Sequence, residues 1–246
     1  MIIGSRIHFL HQTESTMDEC RSLARTGSIE GTVVSANFQG AGRGRFQRLW
    51  LSPSGENIQV SILLRPTITQ LPYLNMAAAL AASNTATEVT GYHSEIKWPN
   101  DVQLAGKKLC GILIESEISG VEVDFAIIGI GLNVNLEPGR HKEIKNSASS
   151  LKQFCGRNVS RSQTFRVLLK HLDYYYERIK AGESLTSEWA SKLNMLGCNI
   201  RISFPGTNKP SIDCRAASIN EDGSLSVRID DGTMFTATAG EITLRS

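Results

Sequence analysis

Alternation of apolar and polar positions marks out the strands of this chain. Residues 57–64 alternate Ile58, Val60, Ile62 and Leu64 with Asn57, Gln59 and Ser61, the pattern of a half-buried strand. Residues 124–135 are nearly all apolar through Ile130, which predicts a strand covered on both faces. Further strands are predicted over 5–11, 32–37, 95–98 and 108–117. Helical spacing marks other segments. Met17, Cys20 and Ala24 share a face before Gly27; Thr16 with Glu19 three residues on predicts a capping box at that helix's start. Pro72 opens a second helix with Tyr73, Met76, Ala77 and Leu80 as its apolar stripe. Phe165, Leu168, Leu169, Leu172 and Ile179 predict a long helix over 162–180, and a shorter one over 184–194 carries Trp189. Residues 136–158 read as loop with a short helix.

From Cys198 onward the pattern changes. Short strands over 199–204, 212–219, 225–229, 234–239 and 241–244 are separated by turn signals such as Glu221-Asp222-Gly223 and Asp230-Asp231-Gly232. Closely spaced strands of this kind predict a small antiparallel barrel. The expected architecture is α+β: a mixed sheet flanked by helices over residues 1–196, then a small β-barrel over 197–246.

Composition narrows the class. In 246 residues, 41% are hydrophobic, enough for a core, and the net charge is only +2, which argues against a general polyanion binder. The five cysteines are widely spaced, so neither a disulfide frame nor a zinc pattern is expected. The N-terminus shows no signal pattern, and no apolar run approaches ~18 residues, so a soluble cytoplasmic protein with no membrane partner is expected.

Charge is concentrated in one place. Gln39-Gly40-Ala41-Gly42-Arg43-Gly44-Arg45-Phe46-Gln47-Arg48-Leu49-Trp50 follows a β-branched strand, and Arg43, Arg45 and Arg48 are the only charged side chains between Glu30 and Glu56. Glycine admits close backbone approach, and the guanidinium fork matches phosphate or carboxylate oxygens, so the loop is an anion receptor. Its glycines and like charges predict mobility without ligand. No G-x-x-x-x-G-K-[ST] occurs. Gly129-Ile130-Gly131 begins a dinucleotide fingerprint that fails at Val134, and close backbone approach is the structural reason left for both glycines. No G-x-S-x-G occurs, and His8 and His11 fit no zinc pattern. What remains near strand ends is Lys97, Lys108, Asp101, Asn133 and Asn135. Such a set suits a reaction in which carboxylate and phosphate must be held together against their repulsion.

Five motifs in order carry a family resemblance: Glu14-Ser15-Thr16, Gly42 through Trp50, Lys97-Trp98-Pro99-Asn100-Asp101, Lys108-Leu109-Cys110-Gly111-Ile112-Leu113, and Gly129-Ile130-Gly131-Leu132-Asn133-Val134-Asn135. Together they resemble the biotin protein ligases over nearly the whole chain. The resemblance implies a class II synthetase-like catalytic domain that binds biotin and ATP, with an SH3-like C-terminal barrel. It implies that biotin is activated with ATP and Mg²⁺ as biotinyl-5′-AMP, then passed to a lysine of a biotin carboxyl carrier protein. By motif, Ser15, Thr16, Gln39, Gly42, Arg43 and Gly111 resemble the biotin site. Arg45 and Arg48 resemble the phosphate binders, Trp50 the adenine-stacking residue, and Asn133 a nucleotide neighbour. Lys108 resembles the lysine bridging the biotin carboxylate and the α-phosphate. Asp101 resembles the acid at the reaction centre, as Mg²⁺ ligand or proton acceptor. Met17 stands where many members have Asn, and Gln47 where Gly is frequent.

Members that also act as repressors carry a helix-turn-helix domain before the catalytic one. None precedes Arg6 here, so no sequence-specific DNA binding is expected, while a homodimer is allowed. Three other readings compete, one of them a degenerate ligase that only binds biotin, against which Arg45, Arg48, Lys108 and Asp101 together argue. A lipoate or octanoate ligase would share the fold but bind a flexible acid without a ureido group. A nucleic-acid module stacking Phe46 and Trp50 on bases would need a basic stripe rather than one segment.

Overall fold

The computed structural model of the chain describes residues 1–245. Its elements in order are β1 (Arg6–Thr13), α1 (Thr16–Arg25), β2 (Thr32–Gln39), β3 (Ile58–Leu64), α2 (Leu71–Thr90), β4 (Glu95–Lys97), β5 (Asp101–Leu104), β6 (Lys107–Ser119) and β7 (Glu122–Leu132). They continue with α3 (Leu151–Cys155), α4 (Arg161–Lys180), α5 (Thr186–Ser191), β8 (Asn199–Ser203), β9 (Ile212–Ile219), β10 (Leu225–Arg228), β11 (Met234–Ala237) and β12 (Glu241–Leu244). The fold is α+β, as the pattern predicts. A seven-stranded mixed sheet runs β1-β2-β3-β7-β6-β5-β4, and the C-terminal strands form one antiparallel sheet ordered β11-β10-β9-β8-β12. Only β1 and β2 pair in parallel within the large sheet.

Side-chain parity along the central strands explains the layers. On β7, Ala126, Ile128, Ile130 and Leu132 enter the main core with α2 and α4, while Phe125 and Ile127 pack against Met17 and Cys20 of α1. The same face continues with Gly129 and Gly131, whose missing side chains leave room above the sheet. On β3, Ile58, Val60, Ile62 and Leu64 join the main core. All seven residues of β3 are buried, Gln59 and Ser61 included. The half-buried strand expected from alternation is therefore corrected: α1 and the arginine loop cover its polar face, where water was expected.

The capping box at α1 is also corrected. Ser15 is the N-cap residue, and neither hydroxyl caps the helix. Thr16 Oγ1 lies 2.9 Å from Gln39 Oε1, and Glu19 accepts from Thr13 Oγ1 at 2.7 Å instead. The Thr16 amide is taken by Gln39 Oε1 at 2.7 Å, so the side chains of this helix start are used across the sheet. The long helix matches its predicted stripe, and of the tyrosine run Tyr175 and Tyr176 are buried while Tyr174 is exposed. The helix around Trp189 is shorter than expected, Thr186–Ser191.

The small sheet shares the main core through Ile200, Ile202, Ala216, Leu225 and Val227. Trp98 Nε1 donates to the Gly223 carbonyl at 3.0 Å, and Tyr73 Oη to Glu221 at 3.1 Å. These contacts hold its strands beside the arginine loop. Among the described residues no helix is long and apolar enough to cross a membrane.

Candidate active site

A cavity of about 370 Å³ opens on the α1 side of the large sheet. That volume lies within the range of small-molecule sites. Ser15, Thr16, Gln39, Arg43, Arg45, Arg48, Trp50, Asp101, Lys108, Gly111 and Asn133 all line it. Of the residues assigned to the site by motif, only Gly42 is absent from the wall; Asn135, singled out near a strand end, also lies outside it, paired with the Val159 main chain. Gly42 lies under Gln39, where a Cβ would come 2.9 Å from Gln39 Nε2.

The floor is built from glycine. A Cβ at Gly131 would stand 2.6 Å from Trp50 Cζ2, and one at Gly129 would stand 2.6 Å from Met17 Sδ. At Gly111 it would meet Trp50 Cζ3 at 3.0 Å and Lys108 Nζ at 3.2 Å. None of these three glycines has a left-handed φ, so close approach rather than backbone freedom is what requires them. Met17 fills the hollow over Gly129, where its thioether offers no strong hydrogen bond.

One end of the cavity is uncharged and hydrogen-bonded. Gln39 Oε1 accepts from the Thr16 amide at 2.7 Å and lies 2.9 Å from its hydroxyl, and Thr16 Oγ1 lies 2.8 Å from Ser61 Oγ. Gln39 Nε2 donates to Gln59 Oε1 at 2.6 Å, and Gln59 Nε2 to Ser52 Oγ at 2.9 Å. Gln59, Ser61 and Ser52 were not singled out from the sequence. One signal was available: a water-facing stripe of amides and hydroxyls with no Lys or Glu is unusual.

Arg43 is committed elsewhere. Its guanidinium binds Asp18 at 2.8 and 2.7 Å and donates to Ser15 Oγ at 3.2 Å, with Glu115 at 3.4 Å. The hydrogen bond to Asp18 and the neighbouring Glu115 raise the Arg43 pKa, and the same bond holds Asp18 below its ordinary 3.8. An aspartate with a depressed pKa contributes above its unfolded pKa and loses that contribution as pH falls through the folded one. This clamp thus opens only in acid. Arg43 pins the start of the loop to α1 and is no free anion receptor in this conformation.

The other end is cationic. The loop closes on itself, with Trp50 N donating to Gly42 O at 2.9 Å and Gly44 N to Arg48 O at 2.8 Å. Phe46 and Gln47 take left-handed φ values of 56° and 57°. Each costs about 1–2 kcal/mol relative to a right-handed conformation. Gln47 is the position where Gly would relieve that strain. Arg45 donates to Asn100 Oδ1 and to the Gly240 carbonyl, both at 3.1 Å, and burial lowers its pKa while Asp101 and Glu241 oppose the shift. Arg48 pairs with Glu241 at 2.5 and 3.0 Å. The small sheet therefore holds both arginines from 195 and 193 residues away. The Arg48–Glu241 pair is largely exposed and is worth no more than about 1 kcal/mol. Substituting Glu241→Ala should speed tryptic cleavage after Arg45 and Arg48 by up to about fivefold in the absence of ligand, as timed gel electrophoresis would show. Unchanged cleavage would mean that Glu241 does not restrain the loop.

Between the two ends stands Lys108. Its Nζ is 2.7 Å from Asp101 Oδ1 and 5.5 Å from the Trp50 ring centroid. A bulge between Val102 and Gln103 shifts the β5–β6 register so that Lys108 reaches Asp101 across the hairpin. Its main chain is fixed to the following loop, N to Ser147 O and O from Ser149 N, each 2.8 Å. Asn133 lines the cavity, but its amide is occupied: Nδ2 donates to Ser149 O at 3.0 Å, and Asn57 Nδ2 to its Oδ1 at 3.4 Å. Asn133 thus braces the wall. The Trp50 indole N–H is buried with no partner among the described residues. Among the described residues no three His, Cys, Asp or Glu side chains converge as a metal cage. Cys110 lies buried behind Lys108 with its thiol pKa raised by that burial, and Cys20 is pushed up to about 12 by the same cause, so neither offers a thiolate.

Comparison with known proteins agrees with this geometry. A model of the biotin/lipoate A/B protein ligase family matches residues 9–133. The bifunctional ligase/repressor BirA of Bacillus subtilis is 33% identical over 239 residues, covering 94% of this chain and 72% of that protein. The biotin–[acetyl-CoA-carboxylase] ligase of Mycobacterium tuberculosis is 28% identical, over 95% of this chain and 87% of its own. Among solved structures, the biotin protein ligase from Aquifex aeolicus in complex with biotin and ATP superposes with a TM-score of 0.79 at 29% identity, covering 98% of this chain and 99% of that one. The chain belongs to the biotin/lipoate A/B protein ligase family, among its biotin protein ligases.

Proposed function

We propose that this chain joins biotin to ATP as biotinyl-5′-AMP and then transfers the biotinyl group to a lysine of a biotin carboxyl carrier domain. One observation carries the reading. A single cavity links a neutral amide-and-hydroxyl end (Thr16, Gln39, Gln59, Ser61) to a cationic end (Arg45, Arg48) across a glycine floor, with Lys108 between them. A ligand with a polar ring at one end and a carboxylate at the other matches that sequence of environments. A flexible lipoyl or octanoyl chain would leave the unspent Gln39 Nε2 hydrogen facing apolar carbon, at a cost of about 1–3 kcal/mol.

In the first step a biotin carboxylate oxygen attacks the α-phosphorus, and the bond to pyrophosphate breaks. Lys108 stands where it can neutralise both anions as they meet, and Arg45 and Arg48 exchange Gly240 and Glu241 for phosphate oxygens. Trp50 stacks on the base. In the second step the carrier lysine attacks the acyl carbon, AMP leaves, and Asp101 accepts the ammonium proton. Mg²⁺ is well served by one or two carboxylates plus phosphates, and Asp101 is the residue that could hold it with the nucleotide bound. The ion would withdraw charge from the phosphates.

The test is transfer. Incubation with biotin, ATP, Mg²⁺ and an isolated carrier domain should add one biotinyl group to one lysine, read by intact-mass spectrometry and peptide mapping. No acylation with biotin, or equal acylation with lipoate, would overturn the proposal.

A further inference from the structure

The polar chain beneath the neutral end has a direction, and one fixed group sets it. The Thr16 backbone N–H can only donate, so the Gln39 atom 2.7 Å away is the carbonyl oxygen. Gln39 Nε2 must then face Gln59, the Gln59 atom 2.6 Å from it must be Oε1, and Gln59 Nε2 is left to face Ser52 Oγ at 2.9 Å. Every orientation in the chain therefore follows from a main-chain group on α1. Gln59 is 1% exposed and Ser52 is 8% exposed. Gln59 sits on β3 between Ala36 of β2 and Gly131 of β7, which fixes its backbone on both sides.

From this we infer that Gln59, anchored by Ser52, is a positioning residue for the acid's polar ring. Thr16 sets the flip of the Gln39 amide, and Gln59 restrains its donor side, with one Nε2 hydrogen spent on Gln59 and the other unspent. Without Gln59 the amide keeps its bonds to Thr16 but loses the restraint on its donor side, and the ring meets a side chain that must be ordered on binding. The neutral end thereby becomes a pre-set donor for a carbonyl oxygen. Met17, which has no strong acceptor, leaves that polarity uncompensated. This inference rests on the biotin reading above.

The experiment is biotin binding by isothermal titration calorimetry, with steady-state kinetics beside it. Gln59→Met keeps the side chain's length and removes its hydrogen bonds. It should raise the Kd for biotin about tenfold while leaving the KM for ATP and kcat at saturating biotin unchanged. Ser52→Ala should act in the same direction, by about threefold. The double variant should be no worse than Gln59→Met alone, because Ser52 acts only through Gln59. An unchanged biotin Kd in Gln59→Met, additive losses in the double variant, or a parallel fall in kcat and ATP affinity would overturn the inference. If Gln59→Met fails to fold, Ser52→Ala with no change in Kd overturns it. A native chain that binds no biotin refutes the proposed function instead, so the two failures are told apart.

Discussion

Lys108→Ala should reduce the single-turnover rate of acyl-adenylate formation by about 10²–10³-fold and leave biotin affinity within about tenfold of native. The difference follows from where the charge sits. Lys108 Nζ is next to Asp101 and takes no part in the hydrogen bonds of the neutral end; on the proposed reading, carboxylate and α-phosphate would meet beside it. The ground state asks little of it; the pentavalent transition state, with three negative groups converging, asks most. The fold should survive, because Lys108 and Asp101 are both partly exposed and the strand is held by main-chain bonds on both sides. Rapid-quench measurement of the adenylate, with calorimetry for biotin, separates the two quantities. Equal losses in rate and affinity would contradict the role given to Lys108.

The second large effect is expected at Gly131→Ala. The added methyl would collide with the Trp50 ring, with Cζ2 at 2.6 Å and Nε1 at 2.7 Å. An interior strand backbone cannot move away, so the indole must leave its seat. ATP affinity should fall at least about tenfold, the loss expected when an aromatic stacking partner is displaced. Gly139→Ala is the matched control, because nothing lies within 4 Å of its added carbon and its φ is ordinary. Nucleotide binding followed by Trp fluorescence checks both variants. Native ATP affinity in Gly131→Ala would remove Trp50 from the nucleotide site.

Much of this arrangement was legible in the chain. The arginine–glycine loop, the two glycines of β7 and the Lys108 strand are local features whose chemistry is visible in a few consecutive residues. The fold class followed from periodicity, since α4 and β7 are long and strongly patterned. Two parts were not legible, for different reasons. Gln59 and Ser61 alternate with β3's apolar residues as water-facing residues would, and parity cannot say what covers a face. Thr16 of α1, 45 residues before Ser61, and Gln39, 20 residues before Gln59, turn that face into the site. Glu241 opens the short strand β12 and Gly240 is the buried residue just before it, and neither carries a local sign of function. Their meaning comes from a docking of two sheets through Trp98, Tyr73 and the shared core. The mispredicted capping box has the same origin, as a local pattern was overruled by the tertiary partner Gln39.

The role of the small sheet follows from that docking. Arg48 is held by an exposed ion pair whose strength is small beside a charge-assisted bond to phosphate. The loop can therefore be kept near the cavity at rest and still give up Glu241 when nucleotide arrives. Arg43 does not share this freedom, because Asp18 and Glu115 hold it on the α1 side. The first arginine ties the start of the loop to α1, and the second and third are held by Asn100 and the small sheet.

The account's central claim is that one cavity brings a carboxylate and ATP together under a cationic loop. Exchange of labelled pyrophosphate into ATP tests it most directly. The account predicts exchange that requires biotin and Mg²⁺, is not supported by lipoate or octanoate, and needs no carrier protein. Exchange that is absent with biotin, or that proceeds equally well with the other acids, would contradict it.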